Sequence, residues 1–238
     1  MSTHALGRRK QRRVGVRLGL SRHWTWLGGG FLVAFAVPFL FADLLAINRD
    51  LFYGLYAIAV FGLIGLWARS TGYDLVAAVK RRWLWAVGLG VTFAGVLAFT
   101  VVRTEDATAR PDGFELIGAV LWRGVIYGVT DGLLLSVFPI LVVFAAFAGS
   151  RLNRRFAGKV VIGAVALIAS LAMTAAYHAG YSDFRSGKIG KPLTGDMLWS
   201  VPTLVTLNPV GAPIAHAGLH VSAVLHSYDT DTFLPPHK

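Results

Sequence analysis

The chain contains no cysteine, so it has no disulfide framework, no thiolate metal site and no cysteine nucleophile. Charged residues are also scarce: they make up 15% of the 238 residues, whereas 55% are hydrophobic and the mean hydropathy is +0.60. A soluble domain of this size needs a more polar surface than this composition provides. The composition therefore excludes that class and predicts a polytopic membrane protein.

The net charge of +11 is concentrated in a few places. Seven basic residues precede Trp24: Arg8, Arg9, Lys10, Arg12, Arg13, Arg17 and Arg22. A basic tail directly before a long apolar run is typical of a cytoplasmic tail held at the anionic inner leaflet of a membrane. We therefore interpret residues 1–23 as a basic cytoplasmic tail that binds the bilayer, and we expect no nucleic-acid partner.

Apolar runs predict an all-α membrane bundle of about six transmembrane helices, formed by residues 24–226. The runs are 24–47, 51–68, 83–102, 116–147, 160–181 and 213–226. The run 116–147 exceeds one bilayer crossing, so it forms either one tilted span or two spans that meet near Gly132 or Pro139. Residues 208–213 (Asn-Pro-Val-Gly-Ala-Pro) predict a break before the last helix, and residues 227–238 predict a short polar tail.

The distribution of charge among the loops predicts the orientation. With six crossings, the basic loops 69–82 and 151–159 fall on the same side as the basic tail, and the acidic loop 103–115 falls on the other side. This is the arrangement that the positive-inside rule favours. We therefore expect a bacterial inner-membrane protein with both termini in the cytoplasm.

Two histidines in the last apolar run are the first candidates for chemistry. His216 and His220 stand four residues apart, which places both imidazoles on one helix face, one turn apart. Imidazoles at this spacing can bind one metal ion, although a pair of hydrogen-bonded core histidines has the same spacing. His178, at the end of the preceding span, would complete a three-histidine zinc site with water as the fourth ligand.

The long run 116–147 carries two opposite charges. Arg123, Tyr127 and Asp131 are spaced by four residues, which predicts a shared helix face directed towards the bundle interior. An ionisable group inside a membrane costs about 3 kcal/mol on insertion scales unless it has a partner. The set is therefore either an internal salt-bridge network or part of a site, in which Asp131 deprotonates water and Arg123 stabilises developing negative charge.

The order of these elements resembles the CAAX-protease and bacteriocin-processing membrane metalloproteases, known as the CPBP or Abi family. That family has a Glu-Glu-x3-Arg motif, then Phe-x3-His, then His-x3-Asn/Asp. Arg123 matches the arginine of the first motif. His178 matches the second motif, with Thr174 in place of phenylalanine. His216 matches the third, with His220 in place of Asn or Asp.

The first motif departs from the family pattern because its two glutamates fall at Gly118 and Ala119. The base that activates water in the family is therefore missing, and Asp131 is the residue available to replace it. The resemblance covers roughly the last half of the chain. It implies an intramembrane peptidase that holds a divalent metal, most simply zinc.

Three functions are consistent with the sequence. The first is a metal-dependent intramembrane hydrolase that acts on peptide bonds, with a membrane protein or peptide as its partner. The second is a haem-binding membrane protein that uses histidines of the last two helices. The third is a non-catalytic membrane subunit of a larger complex, in which the polar residues only hold helices together.

Overall fold

The computed structural model describes residues 3–230 and 233–235, with side chains from residue 20 onward apart from Ser186. The regular secondary structure of these residues is helical, without strands, which confirms the all-α bundle. The helices are α1 (Thr3–Val37), α2 (Arg49–Thr71), α3 (Leu75–Lys80), α4 (Trp83–Thr104), α5 (Gly113–Ala146), α6 (Phe156–Ala179), α7 (Gly190–Trp199), α8 (Val201–Thr206) and α9 (Gly211–His226).

Five of the described helical segments are long and apolar enough to cross a membrane: Leu20–Leu44, which begins in α1, and the whole of α2, α4, α5 and α6. These helices support the prediction of a polytopic membrane protein. The last helix, α9, has 16 residues and is shorter than the other five segments. The count of six crossings and the cytoplasmic location of the termini therefore stay predictions.

Helix α5 is the central element of the bundle. It runs without a break through Gly132 and Pro139, so residues 116–146 of the predicted run belong to one continuous helix of 34 residues rather than to two spans. Of its most apolar stretch, 78% is buried inside the protein, against 22–44% for the other four segments. At about 1.5 Å per residue the helix exceeds the ~30 Å bilayer core, so it must tilt or project beyond it.

Glycines bring α9 into direct backbone contact with α5. Gly124, Gly128 and Gly132 recur every fourth residue on α5 and face α9. A Cβ atom at Gly128 would lie 2.7 Å from the Cα of Ala217, and a Cβ at Gly132 would lie 2.7 Å from the Cα of Pro213. Small residues at this spacing let two membrane helices approach closely. The stripe therefore places the histidines of α9 against the middle of α5.

The predicted break before the last helix is present at residues 207–210, between α8 and α9. Leu207 adopts a left-handed conformation with φ 53°, which ends α8. The side chain of Asn208 then donates to the carbonyl oxygens of Val79 and Arg81 and accepts from the amide of Val210. These bonds satisfy the irregular backbone and join it to the end of α3.

Candidate metal centre

Three ligand residues converge where α9 crosses α5. The Oδ2 atom of Asp131 lies 3.6 Å from the Nε2 atom of His216 and 3.6 Å from the Nε2 atom of His220. One ligand atom from each residue lies within 4.8 Å of the others. All three side chains are buried, with at most 3% of each residue exposed. Among the described residues this is the one group of three or more such side chains with metal-ligand spacing.

Aromatic neighbours hold the two imidazole rings in place. The rings of His216 and His220 are stacked and nearly parallel, with centroids 4.9 Å apart, as their four-residue spacing predicts. Trp199 of α7 packs on His216 at 4.2 Å, and Tyr127 of α5 packs edge-on against His220 at 4.8 Å. Few other ring orientations are open to these side chains because both rings are enclosed.

A hydrogen bond made by His220 determines the tautomer of its ring, that is, which nitrogen carries the hydrogen and which carries the lone pair. Its Nδ1 atom lies 2.6 Å from the carbonyl oxygen of Phe233. A carbonyl oxygen only accepts, so Nδ1 must carry the hydrogen, and in a neutral ring Nε2 then carries the lone pair. That lone pair faces a carboxylate oxygen, which is also an acceptor. A cation or an additional proton is needed between the two atoms.

Asp131 is oriented by a tyrosine from α2. The hydroxyl of Tyr56 donates to Oδ1 of Asp131 over 2.7 Å and leaves Oδ2 directed at the histidines. A connected set of buried hydroxyls lies alongside: Tyr127 to Tyr177 at 2.6 Å and Tyr177 to Tyr181 at 2.8 Å. Partners of this kind, behind the ligand atoms, orient ligands in metal sites.

The arrangement fits a small metal ion. Zinc binds nitrogen and carboxylate oxygen at 2.0–2.2 Å, so neighbouring ligand atoms in a tetrahedral site lie about 3.3 Å apart. The two distances of 3.6 Å between Asp131 and the histidines are close to that value. Neither Nδ1 of His216 nor Nε2 of His220 makes a hydrogen bond, although both atoms are buried. An ion between the three residues would give Nε2 of His220 the partner that it lacks.

His178, the predicted third histidine ligand, is not a member of this group. Its Nδ1 atom lies 2.8 Å from the carbonyl oxygen of Thr174 on its own helix, and its ring packs against Phe184. It remains near enough to His216 for an electrostatic interaction. The ligand role of His178 stays a prediction. In the observed cluster, Asp131 takes the place expected for that histidine, and so acts as a candidate ligand instead of a separate base.

Arg123 is engaged elsewhere. Its Nε and Nη2 atoms form a two-pronged salt bridge with Asp50 of α2 at 2.9 and 2.8 Å, and its Nη1 donates to the hydroxyl of Tyr228 at 2.6 Å. These contacts correspond to the internal salt-bridge network, and the catalytic role of Arg123 stays a prediction. The residues Val120–Ile126 form a π-helical stretch, whose wider turn does not keep the four-residue register between Arg123 and Tyr127.

Several residues of the cluster were missed by sequence reasoning. The regular spacing of Gly124, Gly128 and Gly132 was a detectable signal for the contact between α5 and α9. Tyr56 and Phe233 had no such signal, because each reaches the cluster from a distant part of the chain. Tyr228, Phe233 and Leu234, predicted as part of a polar tail, pack against the bundle, and Leu234 is fully buried.

The fold and the site together define a class: an all-α helical bundle with membrane-spanning candidates and one buried histidine–carboxylate cluster among its described residues. Comparison of the chain with protein-family models, with curated proteins and with solved structures finds no match. The resemblance to the CPBP family therefore stays a prediction.

Proposed function

We propose that this chain is an integral membrane metalloprotein in which Asp131, His216 and His220 hold one zinc ion for a hydrolytic reaction. The observation that carries the proposal is the pair of acceptor atoms, Nε2 of His220 and Oδ2 of Asp131, that face each other at 3.6 Å in a buried site. Two hydrogen-bond acceptors this close are costly unless a cation or a proton lies between them. His216 supplies a second nitrogen at the same distance.

The donor set indicates both the metal and the reaction class. Two imidazoles and a carboxylate are the ligands of several hydrolytic zinc enzymes, and a chain without cysteine offers no thiolate alternative. Asp131, His216 and His220 would supply three ligands, and zinc held there would activate a water molecule for attack on a carbonyl carbon.

The position of the cluster supports a substrate that lies within the membrane. Asp131 is near the middle of α5, the most buried of the candidate spans. A peptide bond of a membrane-embedded protein is the substrate class that we propose. This choice of substrate rests on the motif resemblance at Arg123, His178 and His216 and on the position of the cluster near the middle of α5. The basic tail and loops support a cytoplasmic N-terminus in a bacterial inner membrane, whereas the contact of His226 with the carbonyl of Glu105 puts the end of α9 on the side of the acidic loop.

The geometry favours a metal ion over haem. A haem ligand needs a ring edge directed at a porphyrin-sized space, whereas Nε2 of both His216 and His220 faces Asp131. An absorption spectrum of the purified protein distinguishes these functions, because a Soret band would identify haem.

The metal content of the protein purified in detergent tests the proposal. We expect about one zinc per chain in the unaltered protein and its loss in Asp131→Asn, His216→Ala and His220→Ala. His226→Ala is the matched control: it lies on the same helix, but its ring contacts the carbonyl of Glu105 outside the cluster. His178→Ala separates the two ligand sets, because it should retain zinc if Asp131 is the third ligand.

A protein that contains no zinc and takes up none at micromolar concentrations would contradict the metal centre. Hydrolysis is tested separately, with single-span membrane peptides as substrates in reconstituted vesicles. A chelator should abolish cleavage and added zinc should restore it. Zinc binding without any cleavage of such peptides would instead support the non-catalytic alternative.

A further inference from the structure

A second buried carboxylate, Asp196 of α7, lies in a cluster made only of oxygen atoms. Its Oδ1 atom is 2.8 Å from the hydroxyl of Ser200, 3.1 Å from that of Ser136 and 3.2 Å from that of Ser170. The serines come from three places: Ser136 from α5, Ser170 from α6 and Ser200 from the junction of α7 and α8. All four residues are fully buried.

These hydroxyls carry too few hydrogens for their contacts. Besides their contacts with Asp196, the hydroxyl of Ser200 lies 2.7 Å from that of Ser136 and 2.9 Å from that of Ser170. Ser170 also lies 2.7 Å from the carbonyl oxygen of Leu135. Each hydroxyl has one hydrogen to donate. Some of these oxygen pairs therefore face each other with lone pairs, as occurs around a bound cation.

The charge of Asp196 is also uncompensated. Its buried Oδ2 atom has no partner other than the nearby hydroxyl of Thr174, and a hydroxyl group carries no charge. No basic side chain of the described residues forms an ion pair with Asp196. A buried carboxylate without a counter-charge is strongly disfavoured, so it must bind a cation or a proton.

We propose that Asp196, Ser136, Ser170 and Ser200 form a binding site for a monovalent metal cation, Na⁺. Carboxylate, hydroxyl and carbonyl oxygens are the ligands of hard cations, and no nitrogen ligand is present to favour zinc. One positive charge neutralises the single carboxylate, whereas a divalent ion would leave a net charge buried. Ser200 lies where α7 passes into α8, two residues before Pro202, which lacks an amide hydrogen and so interrupts the helix hydrogen bonds.

The proposed site is mechanically connected to the metal centre. Trp199 precedes Ser200 in the chain and packs on the ring of His216 at 4.2 Å. A cation that joins α7 to α5 and α6 holds Trp199 in that position. The cation site itself does not depend on the metal centre, since the two clusters share no ligand.

Thermal unfolding of the purified full chain in detergent tests this proposal, with NaCl replacing choline chloride at constant ionic strength. Because Na⁺ would bind the folded state, the midpoint should rise by roughly 3 °C for each tenfold increase in Na⁺ above the dissociation constant. Asp196→Asn should abolish the rise, and Ser170→Ala should shift it to higher Na⁺ concentration. Asp183→Asn, an exposed carboxylate in the segment before α7, should leave it unchanged.

A rise of equal size in the unaltered protein and in Asp196→Asn would overturn the proposal. So would a midpoint that responds to pH but not to Na⁺, because Asp196 would then hold a proton only. If Asp196→Asn does not fold, equilibrium binding of ²²Na⁺ to the unaltered protein and to Ser136→Ala tests the site instead. Equal binding by the two proteins would contradict the proposal. The Na⁺ response should persist in His216→Ala, so failure of the zinc site and failure of the sodium site are distinguishable.

Discussion

Two carboxylates are buried among the residues that the structure describes: Asp131 is 3% exposed and Asp196 is 0% exposed. They differ in their neighbours. Asp131 faces two imidazole nitrogens at 3.6 Å and accepts from the hydroxyl of Tyr56, whereas Asp196 contacts only hydroxyl groups. Both residues incur a large cost of burial, but nitrogen ligands favour zinc and an all-oxygen set favours a hard cation. The donor atoms around a buried charge therefore indicate its chemistry better than its burial does.

The two clusters also differ in the elements that hold them. Asp131 and its histidines lie on α5 and α9, whose backbones touch through the glycine stripe. Asp196 lies on the ten-residue helix α7, and Ser200 lies at its junction with the six-residue helix α8. Helices this short depend on tertiary contacts for stability. We therefore expect the zinc cluster to be rigid and the sodium cluster to change with occupancy.

The largest expected effect comes from Asp131→Asn. The substitution keeps the size of the side chain but removes the negative charge and a ligand oxygen, so zinc affinity should fall by roughly 100-fold or more. The Na⁺ response of the unfolding midpoint should remain. Zinc titration of both proteins with a fluorescent competitor measures the effect. If Asp131→Asn lost the Na⁺ response and retained zinc, the assignment of the two clusters would be reversed.

Gly128→Ala should have the next largest effect. Its Cβ would lie 2.7 Å from the Cα of Ala217, a backbone atom that can move only with α9. Overpacking of this kind costs about 1–3 kcal/mol, and the displaced histidines should lose roughly tenfold in zinc affinity. Gly62→Ala is the control, because no atom lies within 4 Å of its Cβ position. Similar unfolding midpoints and zinc affinities for the two variants would contradict the close contact.

Tyr56→Phe should weaken zinc binding without unfolding the protein. It removes the hydroxyl that orients Asp131, and loss of such a partner reduces metal affinity by about 10–100-fold. Tyr53→Phe is a matched control from the same helix, since the buried hydroxyl of Tyr53 makes no hydrogen bond. Zinc titration of both variants measures the difference. Equal affinities would show that Tyr56 does not orient the carboxylate.

Asp50→Asn should have the smallest effect. It weakens the salt bridge between Asp50 and Arg123. Because both side chains are partly exposed, this salt bridge contributes about 1 kcal/mol or less to the stability of the fold. Zinc affinity should equal that of the unaltered protein. A loss of zinc or of peptide cleavage beyond the loss of stability would indicate that Arg123 acts at the site, as the motif resemblance implies.

The sequence was sufficient to predict the apolar helices, the break before α9 and the convergence of His216 with His220. Each of these follows from local rules: hydropathy over a span, Pro and Gly at a break, and the four-residue helix repeat. The prediction of His178 as a ligand depended on how deep one helix lies beside another, which no local rule specifies. The spacing that placed Arg123 beside Tyr127 assumed a regular α-helix, whereas a π-helical stretch begins before Arg123.

Composition and periodicity alone determined that this is a helical, membrane-type chain with two stacked histidines on its last helix, because those properties depend on residues near one another in sequence. Tertiary structure decided the partners of those histidines. The glycine contacts set the depth at which α9 meets α5, and so brought Asp131 rather than His178 into the cluster. The carbonyl of Phe233, 13 residues after His220, accepts a hydrogen bond from that histidine. The hydroxyl of Tyr56, 75 residues before Asp131, donates to that carboxylate, and only folding brings residues so far apart in sequence together.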